Sequence, residues 1–196
     1  MLIASNDNWR DNTVSAGQLQ AGGLAPESDL ESALVATLAP GSYTAIMNGK
    51  NGAMGTGLVE MYDLDSGGNT RLANISTRGL VQTGDDVLIG GFILGGTGNQ
   101  TQVLVRAIGP SLRALGVGNS LANPMLELRD SNGALLQSDD NWKDTQQAAI
   151  EATGIAPSND LEAAILATLL PGSYTVVASG QGNTTGIGLI EIYNLR

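Results

Sequence analysis

The sequence predicts an all-β protein made of antiparallel β-sandwich or jelly-roll modules in tandem, of which the N-terminal one is incomplete. Short strand-like runs follow one another at 8–12-residue spacing with turn signals between them, which is typical of such folds. Aromatic residues make up only 4% of the chain. A core of Val, Ile, Leu and Ala suits thin β-layers better than a deep pocket.

An internal repeat indicates the tandem organisation. The block from Ser5 (SNDNWRD) to Leu64 (GLVEMYDL) recurs from Ser138 (SDDNWKD) to Leu195 (GLIEIYNL). Between residues 24–64 and 155–195, 21 of 41 positions are identical, so both copies are expected to form the same structure. A long strand-like segment precedes the second copy, whereas only four residues precede the first. The N-terminal module is therefore predicted to lack part of its fold.

Each copy of the repeat is predicted to contribute three strands. The sequence DLEAAILATLL would also suit a helix on propensity alone, but the PGSYT hairpin signal that follows it favours a strand. The expected strands are Asp29–Leu38, Ser42–Met47 and Gly57–Leu64 in the first copy, and Leu161–Leu169, Ser173–Ala178 and Gly186–Leu195 in the second.

The segment between the copies is also rich in strand signals. Asp86–Leu94 and Thr101–Ile108 are predicted strands joined by a glycine-rich hairpin loop, GGTGNQ. A short helix, SLRAL, should follow Gly109-Pro110. Met125–Arg129 and Ala134–Gln137 should form a hairpin around the turn DSNG. Residues 70–78 suit either a strand or an extended linker.

The predicted domains follow from these elements. Residues 1–64 form an incomplete module with too few strands to close a sandwich. Residues 65–80 are a linker or an exchanged strand. Residues 81–196, with 71 as an alternative start, form a complete module, since residues 70–196 supply about eight strands, which are enough to close a sandwich.

Composition and charge exclude several classes of function. A net charge of −10 with two lysines argues against nucleic acid or an anionic membrane as partner. The longest apolar run, Val87–Leu94, is far shorter than the ~20 residues of a spanning helix, so no membrane insertion is expected. The absence of His and Cys removes the usual catalytic bases and nucleophiles, so the prediction is a protein that is not an enzyme.

The surface composition points to the cell exterior. Only 14% of residues are charged, while Gly, Asn, Ser and Thr are abundant, a balance common in exported proteins. Met1 runs directly into the repeat without a signal peptide. The expectation is therefore a mature or excised piece of an exported protein, located outside the cell or on its surface.

Two acidic loops are the candidate ligand sites, because each places oxygen donors beside a tryptophan. Such a loop could hold calcium or a sugar ring. In the alternative, which we favour, the side chains cap turns and the tryptophans close the sandwich ends. No cofactor is expected, and calcium and a glycan remain the alternative ligands. The candidate residues are Asp7, Trp9 and Asp11 in the first loop, and Asp139, Asp140, Trp142 and Asp144 in the second.

Three stretches between Leu126 and Tyr193 resemble a known family. LELRDSNGALLQSDDNW, LPGSYTVVASG and TGIGLIEIY resemble the pre-peptidase C-terminal type of bacterial β-sandwich. The chain is also similar to tandem modules of large exported bacterial proteins, where RLANISTRG and VLVRAIGPSL recur. The resemblance implies an extracellular accessory or structural module, sometimes dependent on calcium or a ligand, and not an enzyme.

The expected function is therefore that of an extracellular structural or adhesive protein which polymerises with itself. An incomplete module leaves an open sheet edge, which a strand from a neighbouring copy could complete. The candidate donors are Met1–Ala4, with Leu2 and Ile3, and Arg71–Arg78, with Leu72 and Ile75. A head-to-tail contact of this kind builds a filament or tube. The alternative is a calcium- or carbohydrate-binding accessory module of a larger secreted protein.

Overall fold

The computed structural model of the chain describes residues 1–65, 72–96 and 98–195. The chain divides into two compact units, Met1–Arg71 (unit 1) and Leu72–Arg196 (unit 2). Among the described residues, none of the helices combines the length and apolar character needed to cross a membrane.

Unit 2 is a sandwich of two four-stranded antiparallel sheets. One sheet has the strand order β1-β8-β3-β6 and the other has β2-β7-β4-β5. This architecture confirms the predicted all-β fold class. The strands are β1 (Asn74–Val81), β2 (Leu88–Leu94), β3 (Thr101–Ile108), β4 (Pro124–Arg129), β5 (Leu135–Asp139), β6 (Ala163–Leu169), β7 (Gly172–Gly180) and β8 (Gly186–Asn194).

The core of unit 2 lies between the two sheets and is almost entirely aliphatic. Burial alternates residue by residue along β4 and β8, because successive side chains of a strand point to opposite faces. Phe92 stacks on Tyr174 with a centroid distance of 5.4 Å. The buried residues of this core are Phe92, Val103, Val105, Ala107, Leu126, Leu128, Ala163, Ile165, Ala167, Leu169, Val176, Ala178, Ile190 and Ile192.

Two predicted hairpins are instead connections between the sheets. β2 and β3, on either side of GGTGNQ, lie in different sheets, and so do β6 and β7 around Pro171. Glycine and proline fix where the chain reverses, but not whether the next strand pairs with the previous one or crosses to the facing sheet. Among the predicted hairpins, only β4–β5 around Asp130–Gly133 is confirmed, with Gly133 at a φ of 79°.

Short helices lie between the strands of unit 2. A 3-10 helix at Pro110–Leu115 confirms the predicted SLRAL helix. Gly109 precedes it because a Cβ there would lie 2.3 Å from the carbonyl oxygen of Leu121. Helix α2 (Gln147–Ala152), which the sequence analysis did not predict, buries Ile150.

Unit 1 contains helix and turns but no strand among residues 1–65. Helix α1 (Thr13–Ala21) begins after Asn12, whose side chain accepts hydrogen bonds from the N–H groups of Val14 and Ser15. The predicted strands at Asp29–Leu38, Ser42–Met47 and Gly57–Leu64 are therefore wrong for this copy.

The pairing in unit 2 explains why those strands are missing. We call residues 72–133, with β1–β4, the leading half and residues 134–195, with β5–β8, the repeated half; residues 1–64 are a second copy of the repeated half. In both sheets the two halves alternate strand by strand. No two strands of a repeated half pair with each other. Since strands are held by hydrogen bonds between strands, a repeated half alone cannot form a sheet.

Candidate functional site

Trp142 belongs to a second small core on the outer face of the β1-β8-β3-β6 sheet, because Leu104 and Ala164 alternate along their strands with the residues of the core between the sheets. Its ring is 4% exposed and packs against Leu104, Ile150 and Ala164. The indole Nε1 donates to the carbonyl oxygen of Asn159 at 3.1 Å. A buried ring whose polar atom is satisfied acts as packing, and it offers no open platform for a sugar.

Trp9 occupies the same position in unit 1. It is 1% exposed and packs against Ala16 and Leu19. Its Nε1 donates to the carbonyl oxygen of Ser28 at 3.2 Å, and its backbone N–H donates to that of Glu31 at 2.8 Å. This small core therefore forms even where the strands of the repeat remain unpaired.

A cation lies over each tryptophan ring. The Arg10 guanidinium is 4.7 Å from the Trp9 ring centroid, and it pairs with Asp29 at 3.0 Å. In unit 2, Lys143 lies 5.2 Å from the ring of Trp142 and pairs with Asp160 at 2.6 Å. These basic residues supply the loops with internal counter-charge.

The acidic side chains of the two loops do not converge. Asp7 forms an ion pair with Lys50, and the corresponding Asp140 accepts a hydrogen bond from Gln181 at 2.7 Å. Asp144 is 3.5 Å from the Asn141 amide. Asp7 and Asp11 line a shallow cleft with Ser5, Asn6 and Asn12. Over the described ranges, no three acidic side chains are grouped in a way that could hold a metal ion.

Asp139 is buried and has a structural partner. Its Oδ2 accepts a hydrogen bond from the backbone N–H of Ala164 at 2.9 Å. Burial raises the pKa of Asp139, and the charge of Asp140 raises it further, although the bond from Ala164 acts in the opposite direction. In unit 1 the corresponding residue is Asn6, whose Oδ1 accepts from Ala33 at 3.0 Å. The position therefore needs an acceptor and not a charge.

We expect Asp139→Asn to stabilise unit 2 at pH 7 and to flatten its pH dependence. Since the folded-state pKa of Asp139 is raised, its stabilising contribution is fully present below the ordinary value of 3.8 and is lost as the pH rises through the raised pKa. Urea unfolding at a series of pH values measures this. Asp139→Ala, which also removes the acceptor, should destabilise at every pH. An Asp139→Asn variant as pH-dependent as the parent would contradict the assignment.

An arginine cluster that the sequence analysis missed joins the two halves of unit 2. Arg106 of β3 forms an ion pair with Glu191 of β8, with Nε 3.0 Å from Oε2. Its Nη2 also donates to the Tyr193 hydroxyl at 3.1 Å, and its Nη1 donates to the carbonyl oxygen of Ile155. Burial raises the pKa of Tyr193, and its hydrogen bond to Glu191 adds to the shift. The partners are far apart in sequence, so no local motif signals them.

A fully buried carboxylate forms the second missed connection. The Oε1 of Glu162 accepts hydrogen bonds from the N–H groups of Gly109 at 3.3 Å and Ser111 at 2.9 Å, and from the Ser111 hydroxyl. Its Oε2 accepts from the N–H of Asn159 at 3.3 Å. The turn at residues 109–111 of the leading half, which we call the GPS turn, is thus bound by a side chain of the repeated half.

The residues predicted to drive self-assembly lie in different environments. Leu2 and Ile3 are exposed and align with Leu135 and Leu136 at the start of β5. Ile75 lies in β1 opposite Ile192, so that strand pairs with β8 of its own unit. Leu72 precedes β1 and is exposed. Since β1 is an edge strand, its second edge has no partner strand within the described sheet.

The chain is similar in structure to a solved domain of another protein. No family model matches the chain, and no curated protein matches it. The pre-peptidase C-terminal domain of a collagenase from Bacillus anthracis is similar in structure, with a TM-score of 0.38 and 12% sequence identity. The likeness covers 61% of this chain and 88% of that domain.

Proposed function

We propose that this chain is a non-enzymatic structural or adhesive protein of the cell exterior that self-assembles by strand complementation at unit 1. The observation that carries the proposal is the exposed apolar face of unit 1. The same residue positions form the buried core of unit 2.

The contrast between the copies is large at equivalent positions. Leu34 is 48% exposed, whereas its counterpart Ile165 is 2% exposed. Val59 is 52% exposed, whereas Ile190 is 1% exposed. The further large apolar residues that are exposed in unit 1 and have buried counterparts are Leu38, Met47 and Met61. We call these five residues the open face.

An open face beside unpaired backbone favours association with further polypeptide. Apolar surface gains about 25 cal/mol for each Å² removed from water, and an added strand satisfies backbone N–H and C=O groups at the same time. Contacts of this type are head-to-tail, so they continue into a filament or tube unless their rotation closes a ring.

Three of the most buried carboxylates have structural partners. Glu162 binds the GPS turn, Glu191 pairs with Arg106, and Asp139 accepts from the backbone of β6. The sequence contains neither His nor Cys. These features support a role in cohesion rather than in catalysis.

The alternative of a calcium- or glycan-binding accessory module is supported by the cleft at Asp7 and Asp11. The ion pair of Asp7 with Lys50 and the burial of Trp9 count against it. A calcium-dependent rise in melting temperature that is lost in Asp11→Asn would favour this alternative over self-assembly.

Light scattering at increasing concentration tests self-assembly. The parent chain should exceed its monomer mass of 20.1 kDa at least twofold, and Val59→Asp/Met61→Asp should return it towards the monomer. Val14→Asp/Leu30→Asp adds the same charge at exposed positions outside the open face and should leave the mass unchanged. A parent chain that stays monomeric at every concentration would refute the proposal.

A further inference from the structure

We infer that unit 1 is the acceptor for one kind of partner, a leading half with the sequence chemistry of residues 72–133. This inference starts from the open face and goes beyond self-assembly, because it names the partner that would cover that face. Three sets of contacts in unit 2 define what that partner must bring.

The first set is the strand pairing itself. In unit 2, β5 pairs with β4, β6 with β3, β7 with β2 and β4, and β8 with β1 and β3. Every partner of a repeated strand is thus a leading strand. Unit 1 carries the counterparts of β5–β8 and needs four alternating strands, which a single added strand does not supply.

The second set is apolar packing across the sandwich. The buried leading-half residues Val103, Val105, Leu126 and Leu128 belong to one core cluster with the repeated-half residues, including Ile165 and Ile190. Leu34 and Val59 hold those two repeated-half positions in unit 1 and are about half exposed. The open face therefore matches in size and polarity the surface that a leading half covers.

The third set is polar and gives specificity. Glu60 and Tyr62 repeat Glu191 and Tyr193, and the Tyr62 hydroxyl donates to Glu60 Oε1 at 3.0 Å just as Tyr193 does to Glu191 at 2.9 Å. In unit 2 this pair also binds Arg106. The partner of unit 1 should carry an arginine at that place in its strand.

Glu31 indicates a second polar feature of the partner, at the end of the strand that would carry the arginine. It repeats Glu162, and its Oε2 accepts from the N–H of Ser28 at 3.1 Å, as Glu162 does from Asn159. Whereas Glu162 is fully buried beneath the GPS turn, Glu31 is exposed. A segment resembling VLVRAIGPS would bring the arginine and the turn together, as residues 103–111 do in unit 2.

Stoichiometry separates this partner from a second copy of the same chain. Each chain carries one leading half and two repeated halves. Copies could exchange leading halves, but one repeated half per chain would always remain open. Met1–Ala4 does not solve this, because it aligns with the start of β5 and belongs to the repeated half. The partner therefore supplies a leading half that has no repeated half of its own.

A fusion tests the inference in the full chain. Residues 72–133 are placed directly before Met1, which aligns with Ala134, so the turn at Asp130–Gly133 is kept. Hydrogen exchange should then slow by about 100-fold or more at the amides of residues 33–38 and 58–63, as expected when strands enter a stable sheet. The control places residues 134–195, a segment of equal length, before Met1 and should give no such protection.

A substitution in the same fusion tests specificity. Glu60→Arg should abolish the gained protection, because the new arginine would face the arginine of the added leading half. Glu27→Arg makes the same charge change outside that contact and should preserve the protection. Protection absent from the leading-half fusion, or equal in both fusions, would overturn the inference even if the parent chain polymerises. Protection in the leading-half fusion of a parent chain that stays monomeric would uphold the inference and refute self-assembly.

Discussion

Trp142→Ala is expected to lower the free energy of unfolding of unit 2 by about 3–5 kcal/mol, the usual cost of truncating a large core aromatic. The ring is buried against Leu104, Ile150 and Ala164, and its removal also leaves the Asn159 carbonyl without its donor. Denaturant unfolding followed by circular dichroism measures the change. Trp9→Ala should disrupt the corresponding small core of unit 1 and leave the unfolding of unit 2 unchanged.

The control for Trp142 is Leu115→Ala, which removes an exposed apolar side chain and should cost less than about 0.5 kcal/mol. A tryptophan kept for ligand stacking would show a different pattern, in which Trp142→Ala hardly changes stability. That result would contradict the packing role and reopen the glycan-binding alternative.

Arg106→Met should destabilise unit 2 by about 3–5 kcal/mol, because it leaves the Glu191 carboxylate without its cation in a site that is only 13% exposed. The double variant Arg106→Met/Glu191→Leu removes both charges and should recover most of this loss. A double-mutant cycle in urea gives the coupling free energy between the two residues.

Arg129→Met provides the matched control for that cycle. Its ion pair with Glu127 has side chains 35% and 24% exposed, so the loss should be no more than about 1 kcal/mol. Equal losses for Arg106→Met and Arg129→Met would show that the Arg106 cluster is an ordinary surface ion pair.

The parts of the fold that local sequence patterns specify could be predicted. The repeat, the strands of the second copy and the hairpin around Asp130–Gly133 follow from alternation and turn residues. Helix α1 carried a sequence signal only at its start, where Asn12 is the N-cap. The helix itself contains Thr13, Val14 and Gly17, which have low helix propensity. Helix α2 has no capping side chain, and its six residues are too short for a periodic signal.

The remaining features depend on residues that are distant in sequence. Glu162 reads as one more polar residue before a strand, and only the fold brings the N–H groups of Gly109 and Ser111 to it. The unpaired state of Gly57–Leu64 has the same origin. Its sequence favours a strand as strongly as that of β8, but β8 forms because β1 and β3 lie beside it.

The alternation of halves also sets the order in which such a module can form during synthesis. Of the strand pairs in unit 2, only β4–β5 joins neighbours along the chain, so almost every contact waits for residues made much later. At ribosomal speed the repeated half takes roughly 3–12 s to appear, and the leading half stays without its sheet partners during that time.

In a tandem array, a newly synthesised leading half can pair with either of two repeated halves, the one made before it or the one made after it. The β4–β5 hairpin favours the later one, because it closes a short loop at small entropic cost. The tight turn at Asp130–Gly133 thus decides which repeated half each leading half pairs with along the array. Lengthening this turn should promote pairing with the preceding repeated half, although no core residue is changed.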